Sequence, residues 1–290
     1  MSLLDGLGHS PGFLAFAVLL VGLCVGSFLN VVIHRLPLML ERDWRRECRS
    51  LLALEAAPED APLSLVRPAS RCPSCQAPIR ARHNIPVVSW LWLRGRCASC
   101  RAPISVQYPL VEAVTGALSL GCALKFGWNP ALGAALVLTW ALVALTVIDL
   151  RTQLLPDSIT LPLLWLGLLL SIPGTFVKPS ASIIGAAAGY LSLWGVYHVF
   201  RLVTGKEGMG YGDFKLLAAL GAWFGWQALP LIVLLSSVAG ATVGLGLILL
   251  RGHDRNVPIP FGPYLAIAGW IVLVGGKELG SAWLRFTLPA

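Results

Sequence analysis

The sequence predicts an all-α polytopic membrane protein of about eight transmembrane helices with a cytoplasmic zinc-binding loop domain. Three observations predict it. Of the 290 residues 56% are hydrophobic and only 12% are charged, against roughly 25% charged in soluble domains. Apolar stretches of about 20 residues, the length that spans a bilayer core as a helix, recur along the chain. Two C-x2-C pairs stand in its one sizeable polar segment.

The candidate spans lie near 13–35, 109–126, 131–149, 158–176, 183–203, 214–229, 231–250 and 263–284. A seven-helix count follows if 214–250 is misread. Residues 1–12 hold no Lys or Arg, and the apolar run after them is too long for a cleaved leader. Residues 1–36 are therefore expected to be a retained first helix, 37–108 a loop domain and 109–290 a helical bundle. No internal repeat or low-complexity window interrupts this plan.

Basic residues set the orientation. With the N-terminus outside, 18 of the 22 Lys and Arg fall on inner segments and 4 on outer ones. Such a bias places the loop 37–108 in the cytoplasm. The net charge of +8 then suits anchoring beside anionic lipid and requires no nucleic acid.

In the loop, the stretch LERDWRRECRSLLALEAAPEDAP predicts a short amphipathic helix. The cysteines follow as Cys72/Cys75 and Cys97/Cys100, each inside a repeated C-x2-C-x-A-P-I frame. A knuckle of this kind aims two thiolates at one point, and two knuckles complete a tetrahedral Zn site. Four Cys ligands leave no open position, so the expected role is structural. The alternative is disulfides or free thiols, and a reducing cytosol disfavours the disulfides. Cys24 and Cys122 in spans and Cys48 in the loop read as plain small residues.

Acidic residues within spans are costly and rare. Three stand near helix ends here: Glu112, Asp149 and Asp213. On the predicted orientation all three fall near the cytoplasmic boundary. Two aspartates about 3 Å apart share one proton, and such a pair hydrolyses a peptide bond through an activated water. Gly210 and Gly212, just ahead of Asp213, are expected to permit backbone conformations closed to other residues and to let a substrate strand approach closely. The plainer reading makes Asp213 the N-cap of the helix that follows, and Asp157 after Pro156 reads as such a cap. Ser27, Asn30 and His34 share one face of the first span and read best as helix–helix hydrogen-bonding groups.

Assembled in order, these pieces resemble the type IV prepilin peptidases, membrane aspartyl proteases acting on type IV pilins and type II secretion pseudopilins. The matching stretches are GSFLNVVIHRLP (26–37), the two knuckles, NIPVVSWLWLRGRC (84–97), PISVQYPLVE (103–112), DLRTQLLPD (149–157), GMGYGDFKLLAALGAW (208–223) and PIPFGPYLAIAG (258–269). The resemblance implies that Asp149 and Asp213, the latter in the GxGD motif, are catalytic. It implies prepilin and pseudopilin precursors as partners, cut after a glycine at the cytoplasmic face of a bacterial inner membrane. Members with the long cysteine-bearing loop also methylate the new N-terminus with S-adenosylmethionine. The resemblance links Gly95 and its neighbour Arg96 to that step. No G-x-G-x-x-G follows a strand, so the residues themselves point to no methyl-donor site. Glu112 is a candidate for holding or deprotonating the new amine; the alternative is a structural ion pair with a loop arginine. A competing function is an ion-coupled transporter, which also uses intramembrane carboxylates. No repeat relating the two halves supports it.

Overall fold

The computed structural model describes residues 10–54, 63–251 and 259–287. Among them helices dominate, and the only β pairing is two isolated bridges, Arg71 with Pro78 and Arg96 with Pro103. The chain divides into two units, Met1–Leu132 and Gly133–Ala290.

In the first unit, α1 (Pro11–Leu51) packs along α3 (Gln107–Phe126). Pro11 at the first helical position suits the helix start, where no N–H is needed. Small residues let the two backbones approach. A Cβ on Gly22 would lie 2.6 Å from Ser119 Oγ, and one on Gly26 would lie 2.7 Å from Glu112 Cα. One turn further along the same face, Asn30 Nδ2 donates to Tyr108 O at 3.1 Å. The helix–helix reading of Asn30 is thus borne out.

At about 1.5 Å per residue α1 is roughly 62 Å long, twice a bilayer core of about 30 Å. Its charged end is exposed and carries its own i,i+4 pair, Arg45 to Glu41. The short amphipathic helix expected after residue 37 is in fact this unbroken continuation of the first span to Leu51. Residues 55–62 of that stretch lie outside the described residues. The loop then returns under Arg35, whose guanidinium donates to Ser64 O at 2.9 Å and Pro68 O at 2.7 Å. A short helix, α2 (Val88–Trp92), precedes the second knuckle.

The second unit holds α4 (Pro130–Thr152, beginning at the boundary), α5 (Asp157–Ser171), α6 (Pro179–Thr204), α7 (Tyr211–Phe224), α8 (Leu229–Arg251) and α9 (Gly262–Thr287). Gly225 and a 3-10 turn over Trp226–Ala228 separate α7 from α8. The window 214–250 therefore holds two helices. Helix α7 is enclosed by α5, α6 and α9, and ten of its 14 residues are buried. Gly185 of α6 and Gly221 of α7 meet backbone to backbone: a Cβ on either would strike the other's carbonyl oxygen. Ser182 Oγ donates to Ala222 O at 2.6 Å, and Trp223 Nε1 donates to Leu163 O at 2.8 Å.

All eight apolar windows contain a helix, but the count of eight spans is not confirmed. Among the described residues five helical stretches are long and apolar enough to cross a membrane: α1, α3, α4, α6 and Trp226–Leu247. Asp157–Ser171 and Gly262–Gly276 are apolar but shorter, and α9 turns out of helical geometry at Gly276 (φ 45°). With 14 residues α7 reaches only about 21 Å. A hydrophobic stretch of that length is typical of a buried core helix. Its apolar residues meet protein.

Candidate active site and metal centre

Asp149 sits one turn from the C-terminus of α4, where the helix dipole disfavours a carboxylate. The compensation comes from another helix. Gly262 is the first residue of α9, and its N–H donates to Asp149 Oδ2 at 3.0 Å. Asp149 is buried, as is Asp213. The latter lies in the first turn of α7, the end that welcomes negative charge, and within Coulombic reach of Asp149. Its Oδ1 is buried without a hydrogen-bond partner. An unpartnered buried carboxylate oxygen is costly in a folded core, and strained or unsatisfied polar groups gather at working sites.

The structure corrects two capping readings. Gly210, not Asp213, is the N-cap of α7, and no side chain caps that end. Pro156 is the N-cap of α5, so Asp157 is not the cap either. Asp157 instead receives Lys215 Nζ on both carboxylate oxygens at 2.7 Å.

The glycines work through space rather than backbone freedom. Gly210 has φ −82°, a value any residue adopts, and a Cβ there would meet nothing nearer than Asp213 Oδ2 at 3.8 Å. Gly212 is helical, but a Cβ would lie 2.7 Å from Leu155 Cβ. The same leucine approaches Gly262, where a Cβ would come 2.5 Å from Asp149 Oδ2. Leu155 thus packs against both Gly212, the neighbour of Asp213, and Gly262, the partner of Asp149. Gly262 and Leu155 were not singled out from the sequence. The usable signal was a Gly-Pro pair opening an apolar helix, which marks a helix N-terminus with free N–H groups.

In the first unit the four cysteine sulfurs lie within 4.8 Å of one another, and Cys72 Sγ is 3.8 Å from Cys100 Sγ. Bonds of 2.3 Å in a tetrahedral Zn site separate sulfurs by about 3.8 Å, so the residues fit a metal ion. The two knuckles repeat one hydrogen-bond pattern. Cys72 N donates to Ala77 O and Gln76 N to Cys72 O; Cys97 N donates to Ala102 O and Arg101 N to Cys97 O. Backbone N–H groups of Cys75 and Ser74 pull the Cys72 thiol down to about 6. Those of Cys100 and Ser99 lower Cys97. At Cys100 the Ala102 N–H also pulls down, but the neighbouring Cys75 side chain, burial and the other cysteines outweigh it and push the thiol up to about 11.

Glu112 is buried in α3, and its Oε2 accepts from Val87 N at 2.7 Å. A second hydrogen bond joins it to the Ser27 side chain of α1, so its partners are a backbone N–H and a hydroxyl, not the loop arginine suggested by sequence. Gly95 has φ +66°, and a Cβ there would press on the Trp90 ring at 2.8 Å. Its role is to close the turn on that ring. Beside it opens a pocket of about 560 Å³ lined by Trp92, Leu93, Arg94, Arg96, Cys97, Ala98 and Arg101. S-adenosylmethionine carries a sulfonium, an ammonium and a single carboxylate. The lining offers three guanidiniums and no carboxylate, so it does not fit that donor.

The comparisons with known proteins follow the same division. A model of the bacterial peptidase A24 N-terminal domain matches residues 20–126, and one of the type IV leader peptidase family matches residues 136–245. The chain belongs to the type IV leader peptidase family. Its relatives include the prepilin leader peptidase/N-methyltransferase of Aeromonas hydrophila, 59% identical over 98% of this chain and 99% of the relative. Proteins of the same name from Pseudomonas aeruginosa and Dickeya chrysanthemi are 54% and 50% identical, over 99% and 91% of this chain and 99% and 93% of theirs. No solved structure matches.

Proposed function

We propose that this chain removes leader peptides from type IV prepilins and type II secretion pseudopilins, and then methylates the new N-terminal amine. Its relatives' names support both activities, and the protein sits as a multi-pass protein in the bacterial inner membrane. The observation that carries the proteolytic half is the pair of buried aspartates, one held by the Gly262 N–H and the other with a free oxygen. Asp149 and Asp213 share a single proton. The ionised carboxylate takes a proton from water, and the protonated one hydrogen-bonds the scissile carbonyl. Water oxygen adds to the carbonyl carbon. The tetrahedral species then collapses, and the leaving nitrogen receives a proton from the dyad. The reaction faces the cytoplasm, on the excess of basic residues in the inner segments.

The four-cysteine loop holds zinc as a structural ion. The thiolate set and tetrahedral spacing support that metal over harder ones. Methyl transfer follows cleavage, because only cleavage exposes the amine. Gly95 and Arg96 bear on it through the shape of the loop.

The test uses purified protein, a short-leader prepilin and labelled S-adenosylmethionine. Asp149→Asn and Asp213→Asn should each lower cleavage by about 10²–10⁴-fold, the range of acid–base catalysis. Both variants should still methylate a pre-cleaved pilin. Cleavage within a few-fold of wild type by either folded variant would refute the dyad.

A further inference from the structure

The first unit places an apolar helix face beside a cluster of unpaired arginines. On α2, Val88, Leu91 and Trp92 lie at i, i+3 and i+4, the spacing of one helix face. They are 57%, 62% and 71% exposed, so no part of the described chain covers them. Ser89 and Trp90 anchor the inner face. Ser89 Oγ donates to Arg82 O at 3.0 Å, and Trp90 Nε1 donates to Ile104 O at 3.2 Å.

The depth of this helix is fixed by a bond already described. Val87, immediately before it, donates its N–H to Glu112, a residue in the second turn of the span α3. The short helix is thereby tied to the membrane boundary. At that level, exposed Val, Leu and Trp side chains meet the headgroup–acyl zone, where Trp is favoured.

Directly after the helix the chain turns through Arg94 and Gly95, both with positive φ. The turn borders the 560 Å³ pocket that Arg94, Arg96 and Arg101 line together with Trp92 and Cys97. Among the described residues none of the three arginines is ion-paired. Guanidinium forks match phosphate oxygens in geometry and charge. The same residue, Trp92, thus belongs to both the apolar face and the cationic pocket.

We propose that this pocket is a binding site for an anionic phospholipid, with its phosphate among Arg94, Arg96 and Arg101 and its acyl chain along Val88, Leu91 and Trp92. The site rests on the membrane placement of the loop and not on either enzymatic activity.

The test takes the purified full-length protein, stripped of lipid in neutral detergent. It is titrated separately with phosphatidylglycerol, phosphatidylcholine, glycerol phosphate and S-adenosylmethionine. Native mass spectrometry reads the bound ligand and the metal in the same spectra. Wild type should bind phosphatidylglycerol at least about tenfold more tightly than phosphatidylcholine. Each Arg→Gln substitution should weaken it by roughly fivefold, the scale of one basic residue at an anionic surface. The triple Arg94→Gln, Arg96→Gln, Arg101→Gln variant should lose the preference while keeping its metal. If that triple variant loses metal, Arg94→Gln alone, away from the cysteines, decides between a lost site and a lost fold. Equal binding of both lipids, or an unchanged preference in the variants, overturns the site. Glycerol phosphate binding as tightly as the lipid makes it a phosphate site without a lipid component. S-adenosylmethionine competing with the lipid, and lost in the same variants, makes it the methyl-donor site instead.

Discussion

The cysteine loop and the aspartate site are built in opposite ways. In the loop the first cysteine of each knuckle is held by backbone hydrogen bonds to residues at most five positions away, and the pattern is written twice. Only the meeting of the two knuckles is long-range. The aspartate site is long-range throughout. Asp149 is held by a backbone N–H 113 residues further on, and Asp213 is presented by a helix that owes its burial to three others. A site made of local turns can be repaired by a ligand, because metal binding is itself folding free energy. A site made of packed helices has no such reserve and depends on the contacts that hold its backbone.

This contrast should show most sharply in two glycine substitutions. Gly262→Ala puts a Cβ 2.5 Å from Asp149 Oδ2 and about 3.1 Å from Leu155. The carboxylate must move, and misplacement by about 1 Å costs on the order of 10²-fold in rate. Gly210→Ala, although in the GxGD motif, meets only an ordinary contact at 3.8 Å. It should change cleavage by no more than about twofold, as for a substitution that disturbs nothing. Steady-state cleavage of a short-leader prepilin by both variants checks the order. A reversed order would mean that Gly210 serves the substrate rather than the fold.

The cysteine loop should break differently. Metal analysis should find one zinc per chain, held by Cys72, Cys75, Cys97 and Cys100, and none in the Cys72→Ser, Cys75→Ser variant. The bundle's cleavage activity should survive that loss better than methyl transfer does. Binding should also depend on pH with a definite sign. At neutral pH Cys72, pulled down to about 6, is already a thiolate, whereas Cys100, pushed up to about 11, still carries its proton. Metal uptake by the stripped protein must displace that proton, so affinity rises as pH rises through neutrality. A titration calorimeter run in buffers of different ionisation enthalpy reads the proton released. Uptake without proton release would show that the cysteines are not the ligands.

What could be read from the sequence follows the same division. The knuckle spacing picked out the four cysteines that the fold brings together, because the geometry of each pair is local. Hydropathy found all eight long helices, because each buries or inserts an apolar run. It could not tell that α7 is enclosed by protein, since burial in lipid and burial in a core leave the same composition; length was the discriminating signal. The aspartates stood out as carboxylates in apolar surroundings. Gly262 did not, because its contribution is a backbone N–H made available by a helix start far along the chain. Gly212 was noticed for backbone freedom and room for substrate; that its missing side chain also makes room for Leu155 is a contact no spacing rule encodes. Glu112 was noticed as a buried acid and Ser27 as a polar residue of the first span, but the backbone N–H of Val87 that also holds Glu112 carries no sequence signal.

The smallest expected effect concerns the pair Lys215–Asp157, which joins α7 two residues after Asp213 to the first turn of α5. Lys215 Nζ reaches both carboxylate oxygens at 2.7 Å, yet the side chains are 28% and 54% exposed. An exposed pair gains about 0.2–1 kcal/mol, because water already solvates both charges and two side chains must be ordered. The site itself is held by packing around α7, so the pair should be an accessory. A double-mutant cycle of Asp157→Asn and Lys215→Met, followed by thermal unfolding in detergent, should give a coupling within that range. Cleavage in the single variants should fall by no more than about fivefold, the equivalent of 1 kcal/mol. A coupling of about 3 kcal/mol or more belongs to pairs cut off from water. That result would mean the mouth of the aspartate site is dehydrated, and would move the pair from the rim of the site into its framework.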